Sequence, residues 1–400
     1  MMENLNGFVR NLQMERHWTE GHKISLSVTS LKHAISASDL EFVLPHNKFL
    51  FQYWKAFSNA LMNYNEDYHT LFLGFASIQL DRSVLKILSP ALKIQALTSL
   101  YFLGNELGRH ELLIISDIIG DILTLEAFAI CRNRIVDQKE DVLDKLSTSI
   151  RNHPRLQRLT LATCGIGNNK ALLSSIRNVS LKSIDLGSNG ISSEGAYFIA
   201  KFLAKAKNRR VAKMCLKDNA FNDQDAALFA SALKLNKTLS RLDLQKNDIT
   251  HKGKRMLCKA LYNDSSLNGI ADSNHVCLVN LHDDKVLPSL GKHESLDVVE
   301  LLNNPKIPKY CGRKNKILAK IFSPPFRRLS NLRCFEDVPL ELFPDVLGVI
   351  QYKPGRQFDG RETHTLVFEF LRASPCIFVA NKDRYRVVVS RKRKYEHLHD

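Results

Sequence analysis

Apolar positions return along this chain in a fixed frame. Leu239, Leu242, Leu244 and Ile249 stand at offsets 0, 3, 5 and 10, with Asn247 at offset 8. The same frame holds Leu97, Leu100, Phe102, Asn105 and Leu107, and again Leu125, Phe128, Ile130, Asn133 and Ile135. It recurs as Leu181, Ile184, Leu186, Asn189 and Ile191, and as Val211, Met214, Leu216, Asn219 and Phe221. Two weaker copies keep the apolar positions. One has Leu156, Leu159, Leu161 and Ile166, with Cys164 in the asparagine place; the other has Tyr68, Leu71, Leu73 and Ile78, with Ala76 there. An eighth copy is placed at Leu267 and Ile270, where the pattern decays.

Each position predicts a local structure. Alternation at offsets 3 and 5 predicts a short strand with one face inward. The asparagine side chain can bond backbone groups left open where the chain turns off the strand, so stacked copies form a ladder. Asn105, Asn133, Cys164, Asn189, Asn219 and Asn247 are its predicted members, cysteine serving as a small, weak donor. The rest of each period predicts a helix, as in 195–204, 225–233 and 257–261, where apolar residues fall at helical spacing.

A period near 28 residues with a full helix resembles the leucine-rich repeat, in its intracellular ribonuclease-inhibitor-like class. The resemblance implies an α/β solenoid, a horseshoe with parallel strands inside and helices outside. Residues 64–280 form the repeat region, 1–63 a helical N-terminal capping region and 281–400 an α-rich C-terminal flank with a basic tail. The aromatic stretch 49–61 is the expected capping helix. Helical patterns in the flank cover 314–322, 339–351 and 364–372. The phrases 273–277 and 338–347 resemble stretches of uncharacterised algal leucine-rich repeat proteins, and the second is faintly similar to the opening of an F-box.

Charge divides the chain. Its 400 residues carry a net charge of +16, yet residues 1–150 hold 14 basic and 17 acidic side chains, so the positive excess lies entirely in the remainder. A basic half attracts acidic protein surfaces, nucleic acid or anionic membrane. Eight cysteines without C-x-x-C spacing predict reduced thiols rather than a disulfide framework. The opening residues lack a basic segment followed by an apolar core, so no secretory signal is expected. The most apolar window, 112–130, contains Asp117, Asp121 and Glu126, which argues against a membrane span.

Catalytic motifs are missing. The sequence holds no H-E-x-x-H and no phosphate loop, and Gly165 and Gly167 stand without the third glycine of a dinucleotide fingerprint. His275 and Cys277 lack a second ligand pair at zinc spacing. No enzyme, metal or cofactor is expected. Relatives of this class sharpen the reading. Ribonuclease inhibitors are acidic and cysteine-rich, and activators of Ran-type GTPases carry an acidic tail, whereas this chain is basic with a basic tail. NOD-like receptors add a nucleotide-binding domain, for which no phosphate loop is present.

The expected function is therefore a scaffold that binds a protein, acidic in character, on the concave face. Strand residues between the inward ones line that face. Phe72, Tyr101, Leu103, Arg158, Lys213, Lys217, Arg241 and Asp243 are the candidate contacts, running from aromatic to basic. A nucleic-acid-associated or nuclear protein is the alternative, as is a GTPase regulator or ubiquitin-ligase adaptor by analogy of fold. Residence in the cytoplasm is expected, with Arg391, Lys392, Arg393 and Lys394 a candidate nuclear import signal.

Overall fold

In the computed structural model, residues 23–27, 48–63, 71–76, 80–93, 97–205, 210–263, 265, 269, 272–281, 316 and 344 are described. The helical patterns of the C-terminal flank, apart from Lys316 and Pro344, lie outside them, as does the basic run Arg391–Lys394. The chain divides into two compact units, residues 1–257 with 277–288, and 258–276 with 289–400.

Strands and helices alternate through the first unit. The strands are β1 Lys23–Ser27, β2 Leu71–Ala76, β3 Leu97–Leu103, β4 Ala127–Cys131, β5 Arg158–Thr160, β6 Ser183–Asp185, β7 Lys213–Cys215, β8 Arg241–Asp243 and β9 Leu278–Asn280. Between them run α1 Lys48–Met62, α2 Arg82–Leu92, α3 Arg109–Asp121, α4 Glu140–Asn152, α5 Lys170–Ser174, α6 Ser193–Ala204, α7 Asp223–Leu235 and α8 His251–Leu261. Among the described residues, all nine strands form one parallel sheet in sequence order. Parallel neighbours need a crossover, and right-handed crossovers put every helix on one side of the sheet. This is the α/β leucine-rich repeat solenoid.

The inward rows supply the core. Leu73, Leu100, Phe128, Leu159, Ile184, Met214, Leu242 and Val279 share one row, and all are buried. Phe75 stacks on Phe102 at 5.6 Å, and Phe102 meets the edge of Phe128 at 6.4 Å, giving the early repeats an aromatic spine. Burying each such ring contributes roughly 1.5–3 kcal/mol.

The register corrects two of the expected copies. Leu73 pairs with Leu100 and Phe75 with Phe102, so Leu73 and Phe75, and not Leu71 and Leu73, hold offsets 3 and 5 of the first copy, and a bulge between Leu71 and Phe72 sets Leu71 beside Leu97. The outward residues of this copy are Phe72, Gly74 and Ala76, level with Ser99, Tyr101 and Leu103. At the far end, Val279 pairs with Leu242, so the copy after Leu239 starts at Val276 and not at Leu267. The lengthened connection is tied back by Asn274, whose N–H donates to Ala260 O at 2.8 Å. The helix expected at 49–61 is α1, which buries Trp54, Phe57 and Leu61. It is preceded by β1, a strand the periodicity did not disclose, in register with β2.

Candidate functional site: the open face of the sheet

The turn after each strand decides how the outward residues are presented. Arg132, Thr163, Ser188, Asp218 and Lys246, each at offset 7, have φ of 53–57°, as does Gly104 at 61°. That left-handed residue swings the chain off the sheet, and the side chain at offset 8 then closes the turn. Asn133 donates from Nδ2 to Phe102 O at 3.2 Å and Cys131 O at 2.8 Å, and its Oδ1 accepts from Asn105 N at 2.9 Å. Asn105 in turn donates to Phe75 O at 3.0 Å. Asn189 donates to Leu161 O and Gly187 O, while its Oδ1 accepts from Cys164 N at 2.8 Å. Asn105, Asn133, Cys164 and Asn189 are buried, whereas Asn219 and Asn247 are half-buried and each donate toward three carbonyls.

Cys164 takes the asparagine's donor place, and the Asn133 N–H reaches its sulfur. Its thiol donates to Ile130 O at 2.9 Å, and burial pushes its pKa up to about 12. It offers no amide oxygen to the preceding turn. Where Ile191 N reaches Asn219 Oδ1, the equivalent Ile135 N turns to Asn133 O at 2.8 Å, and a short 3-10 helix, Ile135–Asp137, forms there.

A second ladder, at the opposite rim, was missed in the sequence. His153, Asn178 and Asn236 each stand three residues before a repeat leucine, and all are buried. Each closes the C-terminal end of a helix one repeat earlier. His153 Nε2 donates to Ile122 O at 2.6 Å, Asn178 to Ile150 O at 2.7 Å and Asn236 to Leu203 O at 2.8 Å. The signal was available, since Asn178, Asn208 and Asn236 occupy one offset.

His153 makes this rim sensitive to acid. Its Nδ1 accepts from Arg155 N at 3.3 Å, so the ring is neutral with its proton on Nε2. Burial lowers its pKa from the ordinary 6.5, an effect only partly offset by the carbonyl of Ile122. The unfolded chain therefore binds the extra proton first. Stability from this group is fully present above 6.5 and declines as pH falls from there toward the folded pKa. Replacing His153 with Asn, the residue its neighbours use, is expected to flatten that part of the profile while leaving stability near pH 7.5 within about 1 kcal/mol. Urea melts at about pH 5.5 and 7.5 provide the check; an unchanged difference between the two would refute the assignment.

The outward residues form two districts. On the long strands β2 and β3, Phe72 meets Tyr101 edge-to-face at 4.6 Å between ring centres, with Leu103 two residues on. All three are half-buried. On β5, β7 and β8, Arg158, Lys213 and Arg241 share the outermost row and are exposed, while Lys217 is half-buried. Among the described residues, no ion pair uses any of these four cations. The acids beside them are engaged elsewhere. Asp185 Oδ1 accepts from Gly187 N at 2.9 Å, Asp243 Oδ1 from Gln245 N at 3.1 Å, and Asp243 Oδ2 from Asn280 Nδ2 at 3.3 Å. Cys215 lies between Asp185 and Asp243, and burial first, then Asp185, pushes its thiol up to about 12. A thiol so fully protonated is a poor nucleophile. Among the described residues no group of three or more His, Cys, Asp or Glu is placed to hold a metal ion, and no helix is long and apolar enough to cross a membrane.

The family model described as Leucine Rich repeat matches residues 177–200 and 235–258, which take in β6 with most of α6 and β8 with most of α8. None of the curated proteins matches the chain. Among solved structures, the leucine-rich repeat-containing protein LegL7 from Legionella pneumophila is similar at 15% identity, with a TM-score of 0.44, over 75% of this chain and 95% of that one. The two matched segments and the sheet register together support the α/β leucine-rich repeat fold.

Proposed function

We propose that the chain is a non-catalytic protein-interaction scaffold that holds a partner protein against the open, concave face of its sheet. One observation carries the reading: a half-buried aromatic cluster and a row of exposed cations, Arg158, Lys213 and Arg241, with no ion pair among the described residues, share that face. Aromatic residues in partly exposed clusters are the usual anchors of protein contacts, and charge beside them steers association. Solenoids of repeats present extended surfaces of this kind. The partner is acidic on this reading.

The test is a comparison of captured partners. Changing Phe72, Tyr101 and Leu103 together to Ser is expected to abolish recovery of the principal partner, with the melting temperature lowered by only about 5 °C because the three side chains are half-buried. Equal recovery by a folded triple variant would remove the reading.

The nuclear alternative rests on Arg391, Lys392, Arg393 and Lys394. Adjacent cations repel one another, and import receptors read short Lys/Arg runs in extended backbone. A fluorescent fusion truncated after Ser390 is expected to leave the nucleus; an unchanged distribution would reduce the run to a charged terminus.

A further inference from the structure

The edge of the sheet where the helices end carries a pattern of its own, separate from the open face. Backbone bonds make it one continuous edge: Gln157 N donates to Glu126 O, Lys182 N to Gln157 O, Ala212 N to Lys182 O and Ser240 N to Ala212 O, each at 2.8 Å. Five large apolar side chains are exposed among the described residues, and four of them stand here: Met62, Leu123, Val179 and Leu235. The fifth, Tyr197, lies within α6. The four mark alternate repeats. Met62 and Leu235 end α1 and α7, Leu123 follows α3, and Val179 follows the 3-10 turn Ser175–Arg177 behind α5. The repeats between them present exposed cations instead: Lys93 after α2, Arg155 after α4, and Lys205 and Arg210 after α6.

Acids are few on this edge. Among the described residues they are Asp121, paired with Lys93 at 2.6 Å, and the half-buried Glu126. The opposite edge, at the helix N-termini, mixes the signs, with exposed Asp137, Asp218 and Asp248 among Arg132, Arg134 and Lys246. No large apolar side chain is exposed there among the described residues. A single exposed apolar residue needs no explanation, and a cation in the last turn of a helix answers its dipole, which accounts for Arg151 and Lys234. Neither argument accounts for the alternation, nor for Arg155, Lys182 and Arg210, which stand between helix and strand.

The spacing selects the partner. Packed helices lie about 8–10 Å apart, so apolar residues on alternate repeats are about 16–20 Å apart on the helix side. A protein interface needs a contiguous apolar centre, which side chains so separated do not form. Single-stranded nucleic acid is gripped by stacked aromatic rings, and Met, Leu and Val offer none. A lipid surface is fluid and needs no complementary shape. It takes isolated apolar side chains at its acyl boundary, while its anionic headgroups meet the cations between them.

We infer that this edge rests on an anionic lipid bilayer, on its surface and not across it. Met62, Leu123, Val179 and Leu235 enter the headgroup boundary, and Arg155, Lys182, Lys205 and Arg210 lie over the anionic headgroups. The open face takes no part, so a protein held there is held at the membrane.

Co-sedimentation of the full chain with vesicles tests this at about 150 mM salt, where bulk attraction is screened. Vesicles of phosphatidylcholine with about 30% phosphatidylserine are expected to bind it at least about tenfold more tightly than phosphatidylcholine alone. Met62→Gln, Leu123→Gln, Val179→Gln and Leu235→Gln together, all at exposed positions, are expected to weaken binding by about tenfold or more. Should that variant fail to fold, Leu123→Gln with Leu235→Gln carries the same test. Arg155→Glu, Lys182→Glu and Arg210→Glu together are expected to weaken binding by about 30-fold or more. Arg132→Glu, Lys246→Glu and Lys252→Glu, an equal change of charge at the opposite edge, and Tyr197→Gln are each expected to alter it by less than about threefold. The Phe72, Tyr101 and Leu103 serine variant is expected to bind vesicles as the parent does, so that loss of the protein partner and loss of the lipid are read separately. Equal weakening in the two charge-reversed variants would show that net charge alone is read, and would overturn the inference. So would binding untouched by the glutamines, or no binding to either vesicle. A single-stranded oligonucleotide of equal charge that binds as tightly, and is lost with Arg155, Lys182 and Arg210 but not with the apolar residues, would assign the edge to nucleic acid.

Discussion

Replacing Asn189 with alanine is expected to cost about 3 kcal/mol. The amide sits between two turns and is 4% exposed. Its Nδ2 holds Leu161 O at 2.7 Å and Gly187 O at 3.1 Å, and its Oδ1 takes Cys164 N at 2.8 Å and Ile166 N at 3.4 Å. Alanine leaves all four backbone groups without that partner in a place water reaches poorly. The full desolvation cost then applies, not the small net value of an exchanged hydrogen bond. Asn219 and Asn247 make as many bonds but are half-buried, so water can replace part of what is removed, and about 1–2 kcal/mol is expected for each. Denaturant melts of the three alanine variants give the order directly. Equal losses at the three positions, or less than about 1 kcal/mol at Asn189, would mean that the ladder follows the packing instead of supporting it.

The same amides explain which repeats could be placed from the sequence. Six starts, from Leu97 to Leu239, agree with the pairing of the strands. Five of them carry an asparagine that fixes the frame, and Cys164 marks the sixth. The first copy has neither. Its strand alternates as Leu71, Leu73 and Phe75, and a slip of two residues in a period-two pattern keeps the same face inward. Nothing local therefore distinguishes Leu71 and Leu73 from Leu73 and Phe75 as the residues at offsets 3 and 5; only pairing with Leu100 and Phe102 does. The last copy failed for another reason. The connection after α8 is longer than in the other repeats, and Leu267 and Ile270 happen to mimic the start of the frame. The strand is nine residues further on, after Ser273 and Asn274, which are buried polar residues a hydrophobic pattern does not seek.

Contacts distant along the chain were beyond such reading altogether. Lys316 is fully buried and donates from Nζ to Leu261 O at 2.5 Å and Asn274 O at 2.7 Å. It stands at the end of α8, where unpaired carbonyls and the negative end of the helix dipole favour a cation. A lysine 55 residues from its acceptor carries no mark of that role in sequence. The open face was legible in composition but not in its electrostatics. Alternation gives which residues point outward, while the hydrogen bonds that fix Asp185 and Asp243 beside the cations are seen only once the strands are paired.

Gly253→Ala provides a test in which two well-known effects oppose each other. Gly253 is the third residue of α8, and inside a helix alanine is favoured over glycine by about 1 kcal/mol. Propensity alone therefore predicts stabilisation. The packing predicts the reverse. A methyl group here would lie 2.4 Å from Asp223 Oδ1, 2.7 Å from Ile249 Cγ2 and 3.0 Å from Ala226 Cβ. Asp223 has little freedom to retreat, since its Oδ1 accepts from Thr250 N at 2.8 Å and Gly253 N at 3.0 Å, and its Oδ2 from Thr250 Oγ1 at 2.6 Å. Those bonds, the Thr250 hydroxyl first, hold its carboxyl below the ordinary 3.8, so this cap is intact above that pH and fails only in stronger acid. The previous repeat thus closes the N-terminus of α8 from outside, and the glycine leaves room for it. The arrangement recurs at α6, where a Cβ on Gly195 would lie 2.3 Å from Ile191 Cγ2 and 2.9 Å from Asn168 Oδ1, which accepts from Ser192 N and Gly195 N. At either glycine the clash is expected to outweigh propensity, giving a net loss of about 2 kcal/mol in denaturant melts at neutral pH. Asp223→Ala combined with Gly253→Ala removes the obstructing carboxylate, and the double variant is expected to lose less than the sum of the two single changes. Stabilisation by Gly253→Ala alone would show that helix propensity sets this position and that the cap from the neighbouring repeat yields to it.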